Sequence, residues 1–387
     1  MAISDDDSLA YAKKKIELAR LDPSEILPNI HSLTVSEDQE DLILLKLNPD
    51  IQKHLLEGHV LTIRGDPNDS AVICTDTTTY ELKDAETSNS LLLMPDIKLP
   101  EECETGDMKV VPQKICGIFH NYLELRNYKP SFKKLKAVLE MNAYRGKEYE
   151  ESSAKNYSIE DLLDFIQASR EELQEALKNF QTCNIDGYIR ILDFDYKFNI
   201  LSQIIDIIES KSMPFNKFSK DSVVETLKDS IPSEILENCI SWFAHETDET
   251  SDDGQKLYAL DEYIVCRMFA EMLLRAAGKF HLSEFLESWQ RSVPEGMNCD
   301  LSQLHGLALT DMNYSPEVIF HFPSDEMPDN IAERFTKLFK VKEKWTYDEI
   351  VPYLQDRALV GNDVKSLLIK YTRESTKNGV KMYSSKW

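Results

Sequence analysis

Apolar positions recur at helical spacing through most of the second half of the chain, and three stretches repeat one order of elements. An aromatic residue comes first, then an apolar-faced helix, a turn, a second helix and a strand. The copies run from Tyr157 to Leu192, from Phe280 to Phe322 and from Trp345 to Tyr383. Leu162, Phe165 and Ile166 line one face of the first copy, Phe285 and Trp289 one face of the second, and Ile350, Tyr353 and Leu354 one face of the third, as the 3.6-residue period of a helix requires. Ser158 with Asp161, Ser169 with Glu172 and Thr346 with Glu349 each set a capping hydroxyl three residues before a carboxylate, the signature of a helix start. Between the first two copies the pattern predicts two helices within 219–243, an acidic loop over 245–255, a strand at KLYAL (256–260) and a long helix ending at Gly278. In the last copy the second helix is expected to run through DVKSLLIKYTRESTK, residues 363–377, and Asn378-Gly379 is a hairpin turn signal.

The first hundred residues change period. A short amphipathic helix is expected over 8–20, then strands at 42–47, 59–64, 71–74, 78–83 and 90–94, with a helix over 50–57. Short, closely spaced strands suggest a small barrel or sandwich, and about five of them enclose only a thin core. LILLKL and SLLLM are apolar on both faces, as in strands covered on both sides. An incomplete barrel that pairs with another chain follows, with Leu42, Leu44, Val60, Ile63, Leu91 and Leu93 as the expected partner-facing residues. Residues 96–115 read as a linker. Helix is expected to resume over 115–140, with Phe132, Leu135, Val138 and Leu139 on one face.

A helix pair followed by a strand with turn chemistry is the winged-helix plan. The expected fold is therefore α+β and mainly helical: a partial β-barrel completed by partner chains, then three tandem winged-helix domains. The expected boundaries are 1–95 for the barrel, 96–115 for the linker, and 116–212, 213–323 and 324–387 for the winged helices.

Charge narrows the function. The net charge is −24. Residues 151–329 carry 14 basic and 34 acidic side chains, whereas 330–387 carry 12 basic and 7 acidic. A bare acidic surface repels nucleic acid, so phosphate contact is expected only where cations gather. Lys365, Lys370, Arg373, Lys377 and Lys381 are the candidate DNA-binding residues, on the expected recognition helix and wing of the last copy. The segment containing Arg126, Lys129, Lys133, Lys134, Lys136, Arg145 and Lys147 is a second basic candidate. The seven cysteines form no CxxC pair, so no zinc site or disulfide framework is expected. No P-loop, HExxH, GxSxG or GxGxxG motif occurs. No enzyme, cofactor or metal is expected, and no run approaches a membrane span. The N-terminus, MAISDDDS, has no targeting character, so a cytosolic or nuclear protein is expected.

With these residues in view, the chain resembles the "defective in sister chromatid cohesion" family from about Leu42 to Lys381. The resemblance rests on GHVLTIRGD (58–66), TYELKDAETSN (79–89), ELRNYKP (124–130), EDLLDFIQAS (160–169), WQRSVPEGM (289–297), LHGLAL (304–309) and NGVKMYSS (378–385). It implies a nuclear, non-ATPase subunit of the alternative replication factor C clamp loader, acting in DNA replication and cohesion. It further implies that the N-terminal strands join the large and small non-canonical loader subunits in a shared β-barrel assembly. The barrel and first winged helix are implied to dock on the catalytic subunit of DNA polymerase epsilon. The later winged helices are implied to bind single- or double-stranded DNA, with the sliding clamp engaged indirectly. The alternative class is a winged-helix scaffold of the ubiquitin-ligase kind, with no DNA contact.

Overall fold

The computed structural model describes residues 5–22, 29–35, 42–67, 69–95, 97, 109–150, 155–251, 254–311, 315–358, 363–377 and 379–386. From the N-terminus come α1 (Asp5–Ala19), β1 (Asn29–Val35), β2 (Leu45–Lys46), α2 (Pro49–Leu56), β3 (Thr62–Arg64), β4 (Val72–Cys74), β5 (Thr79–Leu93), β6 (Lys109–Ile115), β7 (Gly117–Asn127) and α3 (Lys133–Glu140). The chain divides into two compact units. One is Met1–Leu61 with Glu81–Arg126; the other is Thr62–Tyr80 with Asn127–Trp387.

In the first unit β1 and β6 pair in parallel, from Asn29 opposite Lys109 to Val35 opposite Ile115. β2 pairs in parallel with β7, Leu45 facing Leu123, and β5 lies on the other side of β7. α2 starts where Asn48 accepts the amide of Ile51 at 2.8 Å and Pro49 presets the first turn. Among the described residues, Ile51 and Ile115 are the buried large apolar side chains of this unit.

Four expectations change here. The runs at 78–83 and 90–94 are one 15-residue strand, β5. The run at 42–47 is strand only at Leu45–Lys46. The expected linker ends in strand β6, while residues 98–108 lie outside the described ones. Residues 117–127 are strand rather than helix; the sequence GIFHNYLEL is rich in residues that fit a pleated surface, and pairing with β2 and β5 fixes it.

In the second unit β3 and β4 form a short antiparallel pair, and β4 neighbours the start of β5. Thr79 at that start is buried. Its hydroxyl donates to Glu172 at 2.5 Å and accepts the Ser169 amide at 2.8 Å, which ties the strand to a helix N-terminus.

The rest of this unit is modular. The first copy holds α4 (Ile159–Phe165), α5 (Arg170–Asn179), β8 (Thr182–Ile185) and β9 (Tyr188–Ile191). α6 (Phe194–Ser210) leads to β10 (Phe218–Ser219), α7 (Lys220–Leu227), α8 (Ser233–Phe243), β11 (Ala244–Thr250) and β12 (Lys256–Leu260). α9 (Glu262–Ala277) leads to β13 (Lys279–His281), α10 (Leu282–Ser292), a 3-10 turn at Leu301–Leu304, β14 (Ala308–Asp311) and β15 (Val318–His321). α11 (Ile331–Val341) leads to β16 (Lys344–Trp345), α12 (Tyr347–Ile350), 3-10 turns at Val351–Tyr353 and Gln355–Arg357, α13 (Val364–Tyr371), β17 (Thr372–Lys377) and β18 (Val380–Ser385).

The order strand, helix, helix or turn, hairpin therefore occurs at four places among the described residues, one more than expected. In each, the opening strand pairs antiparallel with the second hairpin strand: Tyr157 with Ile189, β10 with β12, β13 with β15 and β16 with β18. The unexpected copy is 218–260, whose β11 falls on the stretch expected as an acidic loop. A strand there satisfies its backbone against β12 even though its side chains are polar.

Among the described residues, three apolar clusters hold this unit. One lies under α3, α4 and α5, around Leu135, Leu162 and Leu173. The largest runs from Tyr144 through α6, α8 and α9 to Trp289 and Ile319. The third gathers Phe335, Trp345, Tyr353 and Leu368 of the last copy with Leu309 and Phe322 of the preceding one.

Candidate nucleic-acid interface

The last copy is built around Trp345, which is 0% exposed and donates its indole N–H to the Lys342 carbonyl at 2.8 Å. The next residue caps α12. Thr346 accepts the Glu349 amide, and Glu349 accepts the Thr346 amide at 3.0 Å. Glu349 also takes a hydrogen bond from Lys342 at 2.7 Å. Burial alone raises a carboxyl pKa, but the bonds from Lys342 and Thr346 outweigh it and hold Glu349 below its ordinary value. Tyr353 donates its hydroxyl to the Phe322 carbonyl at 2.8 Å, and burial pushes its pKa far up.

α13 follows from the cap at Asp363, which accepts the Ser366 amide at 3.0 Å. Val364 and Leu368 turn inward, so Lys365, Ser366, Ile369 and Lys370 face out. Ile369 is 76% exposed between the two lysines. The helix ends at Tyr371, six residues short of the expectation. Arg373 and Lys377 thus belong to strand β17, not to the helix. Two threonines and a serine within Thr372–Lys377, and six paired positions with β18, favour the hairpin over further helix.

Strand alternation then sorts the cations. Arg373 lies on one face of the hairpin, opposite Ser384, while the side chain of Lys377, the last residue of β17, lies outside the described ones. Lys381 pairs across from Thr376 on the other face and forms an ion pair with Glu374 at 2.8 Å. That pair raises the Lys381 pKa. Lys386, not among the candidates, reaches the carbonyls of Ile369 and Lys370 at 3.4 Å and supports the end of α13. Arg373 donates to the Lys386 carbonyl at 3.2 Å. The structure therefore brings Lys365, Lys370 and Arg373 to the exposed helix and the strand that follows it, and sets Lys381 apart.

Five of the seven cations of the second basic candidate form internal pairs. Lys133 faces Asp329 at 3.7 Å, Lys134 and Lys136 pair with Asp66 and Asp325, and Arg145 meets Asp193 at 3.3 Å. Arg126 lies 3.7 Å from Glu124. Of the expected partner-facing residues, Val60 is 75% and Ile63 68% exposed; Leu42 and Leu91 are exposed, and Leu44 and Leu93 half-buried.

Sequence reasoning missed Arg334 and Arg357. Arg334 is 1% exposed, pairs with Asp356, and donates to the carbonyls of Pro328 at 2.6 Å and Tyr353 at 2.7 Å. Arg357 donates to the Pro130 carbonyl at 3.0 Å. No local pattern marks either residue, because the partners lie elsewhere in the chain.

These elements define a modular α+β protein: one strand–helix–helix–hairpin unit repeated, with solvent-facing cations on the final helix and hairpin. Residues 42–354 match the family model described as "Sister chromatid cohesion protein Dcc1", a span that stops before α13. Over 381 residues the chain is 40% identical to the sister chromatid cohesion protein DCC1 of Homo sapiens, covering 96% of each. It is also 40% identical to the Danio rerio protein of that name over 388 residues, covering 98% of each. With the Saccharomyces cerevisiae protein it shares 21% identity over 375 residues, covering 89% of this chain and 96% of that one. The chain belongs to the Dcc1 family of sister chromatid cohesion proteins.

Proposed function

We propose that this chain is a nuclear, non-catalytic adaptor in sister chromatid cohesion. In this reading the first unit joins the large and small non-canonical subunits of an alternative replication factor C clamp loader. The repeated modules are winged helices. The first of them, with the barrel assembly, docks on the catalytic subunit of DNA polymerase epsilon, and the last contacts DNA. The chain thereby tethers a clamp loader to the polymerase and to DNA, and engages the sliding clamp through the loader.

The observation that carries this reading is the thin core of the first unit. Strands that bury little of their own apolar surface are stable once another chain covers them. Leu33, Val35, Ile43, Leu56 and Val60 are each more than half exposed, and a unit that leaves this many large apolar side chains in solvent has surface for a partner to cover. The family membership supports the cohesion role. The exposed Lys365, Lys370 and Arg373 support the DNA contact, since phosphate recognition requires solvent-facing cations.

The test is co-expression of the full chain with the large and small loader subunits, followed by purification through a tag on this chain. Stoichiometric recovery of both is expected, and Leu33→Asp with Val35→Asp should abolish it while leaving the second unit folded. Recovery of the chain alone would refute the adaptor reading.

A further inference from the structure

The last module meets two neighbours in different ways. Toward the preceding module the contact is apolar: Leu309 and Phe322 sit in the same cluster as Trp345 and Tyr353. Toward the first module the contact is polar. Ser131 donates to Asp329 at 2.6 Å, and Lys133 faces the same carboxylate at 3.7 Å. Lys136 pairs with Asp325. Arg357 donates to the Pro130 carbonyl at 3.0 Å and lies 3.9 Å from Asp329. Among the described residues, the apolar clusters of the first and last modules share none. Phe132, Phe180 and Pro352 instead line a cleft of about 280 Å³ along this seam.

The two contacts differ in what can open them. An apolar joint is insensitive to moderate salt, whereas ion pairs near the surface are screened by it. The Lys133, Asp329 and Asp325 side chains are 45%, 38% and 48% exposed, within reach of that screening. Each pair is individually weak, so the seam holds through several acting together. Arg357 is the group with most to lose, since its side chain is 12% exposed and needs Asp329, Asp356 and the Pro130 carbonyl together.

We propose that this seam is a releasable latch. Closed, it fixes the last module, and with it α13, against the first. Open, the last module turns about its apolar joint at Leu309 and Phe322. The functional weight of the latch rests on the reading above, because it sets the angle between the polymerase-docking module and the DNA-binding helix.

Spin labels carried by unnatural residues at Lys178 on α5 and Thr336 on α11 report the distance across the seam in the full chain. At low salt a single narrow distance is expected. Asp329→Ala, or about 1 M salt, where the screening length falls to about 3 Å, should replace it with a longer and broader distribution. Ser131→Ala is the second variant, should Asp329→Ala fail to fold. An unchanged narrow distance in a folded variant and at high salt would overturn the latch. DNA affinity, measured on the same samples, separates the two readings: a distance that shifts in a protein that never binds DNA keeps the latch and removes the DNA-binding reading.

Discussion

The copy at 218–260 and the copy at 344–385 have the same order of elements and the same strand pairing, yet opposite charge. The former carries three basic and ten acidic side chains, the latter seven basic and five acidic. In the former, Glu246, Asp248 and Glu249 are exposed along β11. In the latter, Arg373 is exposed where β11 has His245, and Glu374 stands where β11 has Glu246. What the copies keep is inside: an aromatic at the opening strand, Phe218 at 1% and Trp345 at 0% exposure, followed by a hydroxyl residue that caps the next helix. The apolar face and the cap specify the fold. The hairpin surface is left free to carry either sign, and with it to accept or repel a polyanion.

The comparison breaks most severely if its shared part is removed. Trp345→Ala should cost about 3–5 kcal/mol, the range for deleting a large aromatic from a packed core. Thermal or denaturant unfolding measures it. The loss should fall on the last module and on Leu309 and Phe322, which share its cluster, and spare the copy around Phe218, whose cluster is separate. A loss below about 1 kcal/mol would mean that this core re-forms without its anchor.

Changing only the surface should leave the fold and alter binding. Replacing Lys365, Lys370, Arg373 and Lys377 together with Glu should abolish DNA binding by the last module. The slope of log affinity against log salt should flatten by about 0.9 for each phosphate that the module no longer neutralises. Unchanged affinity and slope would remove DNA from this surface and make the charge contrast between the copies incidental.

Much of this contrast is legible in the sequence. The boxes at Ser158, Ser169 and Thr346 all form as expected, because a cap depends on four consecutive residues. The copy at 218–260 keeps the aromatic and the capping hydroxyl in Phe218-Ser219, but has Ser222 where the boxes have a carboxylate. Its hairpin reads as a loop because an acidic strand resembles one when its partner strand is not known. TREST reads as helix for a related reason: pairing with β18, rather than local propensity, decides its state. The seam at Ser131 and Asp329 joins residues 198 apart in sequence, and no local pattern encodes such a pair.

Smaller effects come from the cap itself. Thr346→Ala should cost about 1 kcal/mol. Glu349 in the same box has a folded pKa below its ordinary 4.5. The stability it contributes is therefore fully present above pH 4.5 and is lost as the pH falls through the lower folded value. Comparing the thermal midpoints of the wild type and Glu349→Gln at several pH values checks the sign. The gap between them should be widest near neutrality and close on acidification.

The smallest expected effect is the most discriminating. Arg373 and Lys381 are both cations of the last hairpin, and sequence alone treats them alike. Their faces differ. Arg373 lies two residues after the end of α13, whereas Lys381 lies on the opposite face of the hairpin and is already paired with Glu374. A cation engaged by a carboxylate has less to offer a phosphate, and in the proposed reading one on the far face would not reach a groove occupied by α13. Arg373→Ala should therefore lower the salt slope of DNA binding by about 0.9, while Lys381→Ala should barely move it. Equal effects of the two substitutions would mean that DNA wraps both faces of the hairpin, and that net charge rather than the placement of α13 separates this copy from the acidic one at 218–260.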